Sequence, residues 1–399
     1  MPIQKPLLSI LLLAPALAAA GPYSLSVSET VSHDSNVFRA PSGAGQDDTI
    51  SLTGLRVGLD QPYGRQRVRA NAGLQMTRFN SLSHLNFTAP NADLRWDWSS
   101  AERLEGDVSL GHTEQLYTSS LNGTAITGQQ RSVQKTSSAA ARARLGMVTS
   151  WTLDGGAALQ TRNYTLASQD NQDQRRQSVD LGTRYQPNPD LQVRALLRRS
   201  RGQYPRFSTT LGADRFSRTD AELGTTVALG GSTDIDARLA RSREVHSQAI
   251  AGASSFWSGS MGLQWRASGK LGFSARLVRD SDTGGQDASN PIVTSNATLA
   301  NSLNLGANWA FTEKLRFSTG WQHIERQLQR SISLGGSSAS ASARDTTNQY
   351  SLGSTFQPTR TVLLGLDWSH YQKSSGDTAL LGAAYRGQVV ALSATLTLD

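Results

Sequence analysis

Arginine is the residue type most able to do chemistry in this chain. Arg56, Arg67, Arg69, Arg95, Arg103, Arg142, Arg144, Arg162, Arg184, Arg194, Arg198, Arg218, Arg238, Arg266, Arg276 and Arg316 all fall on the polar side of segments in which apolar and polar residues alternate. A guanidinium offers a flat fork of donors that matches carboxylates and phosphates, so a wall lined by it favours anionic solutes or an acidic glycan. Acids share that side: Asp93, Asp97, Glu105, Asp107, Asp154, Asp180, Asp220, Glu222, Asp234, Asp236 and Asp367. With acids this frequent, Arg and Asp on neighbouring strands pair and stiffen the wall as well. The expectation is a mixed polar wall with a surplus of Arg.

Other reactive types form no site. The histidines, His33, His84, His112, His246, His323 and His370, are dispersed without a spacing suited to a metal and are expected at rims or in loops. Asp280, Asp282 and Asp287 flank glycines but lack the bidentate Glu and spacing of a calcium loop, so they read as a solvated loop. There is no Gly-x-Ser-x-Gly elbow and no Walker loop, and hence no positive sign of catalysis. No catalytic, cofactor-binding or metal-ligating residue is expected, and no cofactor.

The elements that must position the arginines follow from a period of two. From Arg65 to Phe79, Val68, Ala70, Ala72, Leu74 and Met76 share one side while Arg67, Arg69, Asn71, Gln75 and Thr77 share the other. About eighteen such segments run from Tyr23 to the end, an even number as in single-chain bacterial barrels. Their approximate spans are 22–33, 48–60, 65–79, 86–98, 103–115, 132–148, 151–164, 174–186, 190–204, 214–229, 234–248, 254–267, 270–282, 296–310, 314–329, 345–357, 360–373 and 385–398. Short turns such as Gln61 to Gly64 and Pro187 to Pro189 alternate with long polar connections such as Asn36 to Asp47, Leu116 to Arg131, Asp282 to Ser295 and Arg330 to Arg344. That is the periplasmic-turn, extracellular-loop pattern. Trp96, Trp98, Trp151, Tyr185, Trp265, Trp309, Phe311 and Phe356 stand beside the short turns, where a ring of aromatics would lie at the membrane interface.

Composition agrees. The chain has 399 residues, no Cys and 37% hydrophobic residues, and the stretch after residue 20 holds no apolar run of about eighteen residues, which excludes a helical membrane protein. Residues 1–20, with Lys5, an apolar run from Leu7 to Leu17 and Ala18 to Ala20, read as a secretory signal peptide. Its removal takes one cation and leaves +8 − 1 = +7. A secretory address makes nucleic acid an unlikely partner for this basic chain. The domains expected are therefore the signal peptide, 1–20, and one outer-membrane barrel, 21–399.

Val31-Ser32-His33-Asp34-Ser35-Asn36-Val37-Phe38-Arg39, Asp48-Thr49-Ile50 and Tyr63-Gly64-Arg65-Gln66-Arg67 together resemble the start of EpsL-type outer-membrane proteins. Asn91-Ala92-Asp93-Leu94-Arg95-Trp96-Asp97-Trp98 resembles their fourth strand, and Tyr185-Gln186-Pro187 through Gln203-Tyr204-Pro205 a later hairpin. The likeness covers roughly the first half of the chain after the signal peptide. It implies a barrel encoded with exosortase and exopolysaccharide systems of Gram-negative bacteria, acting in polysaccharide production or export. It carries over no binding residues. One departure is the ending Leu396-Thr397-Leu398-Asp399, where outer-membrane barrels commonly finish on an aromatic residue.

The expected fold is thus an all-β, transmembrane, antiparallel up-and-down barrel in the outer membrane. Its leading expected role is a conduit or accessory pore for exopolysaccharide. The alternative is a general diffusion porin for small hydrophilic or anionic solutes. A rim-located hydrolase using a loop histidine is a third possibility. Expected partners are outer-membrane lipid, extracellular polysaccharide or small solutes, and periplasmic export components.

Overall fold

Strict alternation leaves every segment one greasy and one wet side, and a pleated strand puts these on opposite faces. In the computed structural model, which describes residues 21–100, 103–116, 130–146, 149–208, 211–248, 253–282, 293–334, 337–376 and 383–398, the segments form eighteen strands. The expected signal segment lies outside the described residues. The first six strands are β1 (Tyr23–Asp34), β2 (Asp48–Tyr63), β3 (Gln66–Phe79), β4 (Phe87–Ser100), β5 (Leu104–Leu116) and β6 (Val133–Leu145). The next six are β7 (Trp151–Tyr164), β8 (Gln174–Asn188), β9 (Leu191–Ser208), β10 (Gly212–Leu229), β11 (Thr233–His246) and β12 (Ala253–Arg266). The last are β13 (Leu271–Asp282), β14 (Val293–Ala310), β15 (Leu315–Leu334), β16 (Ser337–Phe356), β17 (Val362–Ser375) and β18 (Tyr385–Leu398).

Each strand pairs antiparallel with its sequence neighbours, and β1 pairs with β18 from Leu25↔Leu398 to Asp34↔Val389, so the sheet closes and has no edge. Eighteen strands about 4.8 Å apart and tilted by about 40° make a ring roughly 35 Å across between backbones. The short turns are tight because glycine supplies the left-handed conformation they need: Gly64 at φ +58° between β2 and β3, Gly230 and Gly231 at +58° and +69° between β10 and β11.

The apolar side faces outward. Leu55 lies opposite Leu74 and Val57 opposite Ala72, and Val68 opposite Trp96, making a continuous greasy belt across β2, β3 and β4. At its lower edge Trp151 and Tyr185 pack with centroids 4.7 Å apart, Trp265 and Phe273 at 5.5 Å, and Trp309 and Phe317 at 5.8 Å. This is the expected periplasmic aromatic girdle. Leu181, 68% exposed to the surroundings, is in mid-belt. Leu181→Arg should therefore cost about 2–4 kcal/mol in a bilayer, read as a lower urea midpoint in vesicles. The same change would be near neutral if that face met water.

One connection is not what composition suggests. Arg330 to Arg344 reads as a long polar loop, but β15 and β16 run on as a hairpin through Leu334↔Ser337. The segment 338–343 alternates Ser and Ala, and pairing with the neighbouring strand satisfies its backbone although it has no apolar bulk of its own. Similarly, β2 continues through Gln61 and Pro62, so the turn shrinks to Gly64 and Arg65.

Candidate functional site

Opposite the greasy belt, alternate residues of every strand point into the barrel. That inner wall is divided into sectors of opposite sign. From β6 to β9, Arg142, Arg144, Arg162, Arg176, Arg184, Arg194 and Arg198 share the inward parity with only Asp154 and Asp180. From β10 to β11, Asp214, Asp220, Glu222, Asp234, Asp236 and Glu244 face Arg218 and Arg238. On β2 to β5, Asp48, Asp60, Asp93, Asp97, Glu105 and Asp107 again outnumber Arg56, Arg67, Arg69 and Arg95. The expected general surplus of Arg is in fact a local one.

Most of the predicted arginines are neutralised across strands. Arg67 Nε donates to Asp60 at 2.6 Å, and Arg194 Nη2 to Asp154 at 2.6 Å. Asp97 accepts from both Arg69 and Arg95, the latter at 2.7 Å, although these two cations are directly opposite in register. Arg95 also lies 3.4 Å from Asp107, which with Glu105 receives Arg144 at 3.2 and 3.1 Å. Arg238 pairs with Glu222 at 2.7 Å, Arg276 with Asp236 at 2.8 Å, and Arg266 with Asp234 at 3.3 Å. Arg218 holds Asp220 at 2.7 Å, while Arg56 reaches Asp93 only at 3.7 Å.

The basic strip differs. Asp180 is 3.9 Å from Arg142 and 3.8 Å from Arg198, long for charge-assisted hydrogen bonds. Among the described residues Arg162, Arg184 and, on the opposite side of the barrel, Arg316 have no carboxylate partner. The Nε atoms of Arg142, Arg162, Arg184 and Arg194 find no acceptor in the protein. Arg184 and Arg194 are register neighbours, with no acid between them. From Arg184, beside the periplasmic turn, to Arg176 is eight residues of β8, about 20 Å along the barrel axis at the usual tilt. Arg176, which bonds Ser200 Oγ at 3.0 Å, went unrecognised in the sequence although its parity within 174–186 marks it.

Arg103 is the exception among the predicted wall residues. It stands in the turn before β5, exposed, its carbonyl accepting from Gly146 N–H at 2.9 Å, and so belongs to the periplasmic rim. The strand starts a residue later than the alternation suggests because that bond closes the hairpin ladder beyond it.

Toward the extracellular end the connections pack onto the wall. Phe79, Leu82 and Leu85 cluster with Val37, Phe38 and Ile50, joining the β1–β2 and β3–β4 connections. Asp48 caps the second by accepting from Ser81 and Leu82 N–H groups at 2.9 and 2.8 Å. Five of the six histidines lie on strands rather than in loops, and His84 is in a short 3-10 turn at Ser83–Leu85. Only His246 of the five points inward. It sits between Asp214 and Glu244, which take one ring nitrogen each. With both nitrogens held by carboxylates it has none left to accept a proton from a nucleophile, so the hydrolase reading gains nothing from it. No group of residues suited to holding a metal occurs among the described residues. Asp287, the last member of the Asp280 segment, lies outside them.

A closed eighteen-stranded barrel with an apolar, aromatic-edged outside and a charged inside is an outer-membrane β-barrel. No protein-family model matches the chain, and no curated protein does, so the EpsL-type resemblance stands on the residues quoted for it. Solved structures do match. Pseudomonas aeruginosa OpdK, solved with vanillate, shares 13% identity over 94% of this chain and 98% of its own at a TM-score of 0.52. OccK3 (OpdO) from the same organism shares 16% identity, covering 94% and 96% at 0.52. OccK2 (OpdF), in complex with glucuronate, shares 13% over 95% and 98% at 0.52. At such identities the likeness is one of fold.

Proposed function

We propose that the barrel is a diffusion channel for small hydrophilic solutes that favours anions, with the β6–β9 strip as their track. The observation that carries this reading is that strip itself. Its guanidinium groups extend over about 20 Å of the axis, and several lack protein acceptors, so a passing carboxylate or phosphate meets a new donor every few ångströms without being held at any one. The acidic walls on either side keep the solute on the strip. Support also comes from the ligands of two fold neighbours, vanillate and glucuronate, which are both small carboxylates.

Export of exopolysaccharide, implied by the EpsL-type resemblance, is the competing role. A long glycan needs a lumen clear along its length, whereas connections pack onto the wall near the mouth; the neighbours' ligands are small too. Planar bilayers decide between them. The channel reading expects steady conductance, with chloride passing about three times more readily than potassium or better, and partial block by millimolar glucuronate. Absence of conductance from folded protein, together with loss of surface polysaccharide on gene deletion, would replace it by the export role.

A further inference from the structure

The outer face of the barrel carries a feature that solute passage does not use. Arg175, Arg199, Arg201, Arg215, Arg241 and Arg243 break the apolar alternation of β8 to β11 and point outward, all of them exposed. Register brings them together. Arg199 and Arg243 flank Thr219, Arg201 lies opposite Ser217 one row further out, and Arg175 and Arg215 both face Gln203. Arg241 lies opposite Trp257, its guanidinium 5.2 Å from the ring centroid.

No Asp or Glu shares the outward parity of these four strands, and none of the six arginines is ion-paired among the described residues. The acids of β8 to β11 all point the other way, into the lumen. Elsewhere on the outside opposite charges do meet, as where Lys135 lies 2.9 Å from Glu114 on β6 and β5.

Their height suits a membrane surface. Trp257 stands eight residues from Trp265 on β12, about 20 Å along the axis, which takes up most of the roughly 25 Å apolar band of an outer-membrane barrel. Arg241 is thus at the outer interface, and the other five lie at or beyond its level. Below them run two shallow apolar grooves. Ala139, Ala141, Ala157 and Leu159 line one that ends at Arg199 and Arg201; Leu181, Leu197, Leu223 and Leu239 line another that ends at Arg241 and Trp257.

We propose that this face binds a phosphorylated lipid of the outer leaflet, with phosphates on the arginines and acyl chains in the grooves. A cation facing hydrocarbon is costly, and six of one sign also repel one another, so the cluster is stable only where it meets anions. Arg and phosphate form bidentate, charge-assisted bonds, and the small alanines leave room for a chain to lie flat.

The test uses the full chain in detergent, titrated with bisphosphorylated lipid A, with the same lipid after removal of its phosphates, and with inorganic phosphate. Bound lipid is read by native mass spectrometry. The phosphorylated lipid should bind at least tenfold more tightly than its dephosphorylated form, and millimolar inorganic phosphate should not displace it. Arg199→Gln/Arg201→Gln/Arg243→Gln should lose about tenfold in affinity with bilayer conductance unchanged. Equal binding of the two lipids by the unaltered protein overturns the proposal whether or not the variant folds. So does displacement by phosphate alone, or full affinity in a folded triple variant.

Discussion

Replacing Arg162, Arg176 and Arg184 together by Glu is expected to turn an anion-preferring pore into a cation-preferring one. Apart from Arg206, which Asp170 and Asp173 of the β7–β8 connection hold, the β6–β9 wall carries seven Arg and two Asp, a formal 7 − 2 = +5, and three reversals subtract six to leave −1. None of the three is ion-paired among the described residues, so no acid loses its partner and the fold is spared. Reversing one charge about 8 Å from a passing anion changes its energy by about 1 kcal/mol in water, and screening at physiological salt trims this to a few tenths. Three in a row sum to about 1 kcal/mol, roughly a fivefold drop in anion permeability, with the cation's changing in the opposite sense. In a potassium chloride gradient the reversal potential should change sign. An unchanged potential would mean that the track lies elsewhere.

The second large effect is structural. Asp345 is buried on β16 and accepts from Arg326 Nε and Nη2 at 2.9 and 2.7 Å, with Lys373 Nζ at 3.2 Å. Both cations are buried as well. Asp345→Asn removes a negative charge that both cations share and should cost about 3–5 kcal/mol, because breaking a buried ion pair from one side leaves buried charge behind. Asp60→Asn, at an exposed pair with Arg67, should leave the midpoint almost unchanged. Urea midpoints, followed by loss of the compact form on gels, compare the two directly. Replacing the whole trio by Met, Leu and Met should recover most of the loss, since apolar groups of similar volume carry no desolvation penalty. Equal midpoints for the two Asn variants would show that the trio is solvated.

Much of this was legible along the chain. The eighteen strands, their antiparallel order and the girdle at Trp151, Tyr185, Trp265 and Trp309 follow from alternation and turn placement, which are local properties. The failures were local as well. The Ser-rich stretch near Ser337 lacks apolar bulk and reads as a loop, while Arg103 precedes its strand by one residue. Arg176 was readable from parity alone. The outward arginines were equally visible as polar residues on the greasy side, but from single segments they look like scattered imperfections.

Side-chain parity, and with it which residues face lipid and which face the lumen, belongs to the sequence by itself, because a pleated strand turns each successive residue over. Which charges meet is a property of register between strands. Only pairing of the strands in register brings Arg184 beside Arg194, sets Asp97 between Arg69 and Arg95, and gathers arginines from four strands on one outer patch. Screening leaves a charge a reach of about 8 Å, so the field inside and outside the barrel is decided by neighbours on adjacent strands.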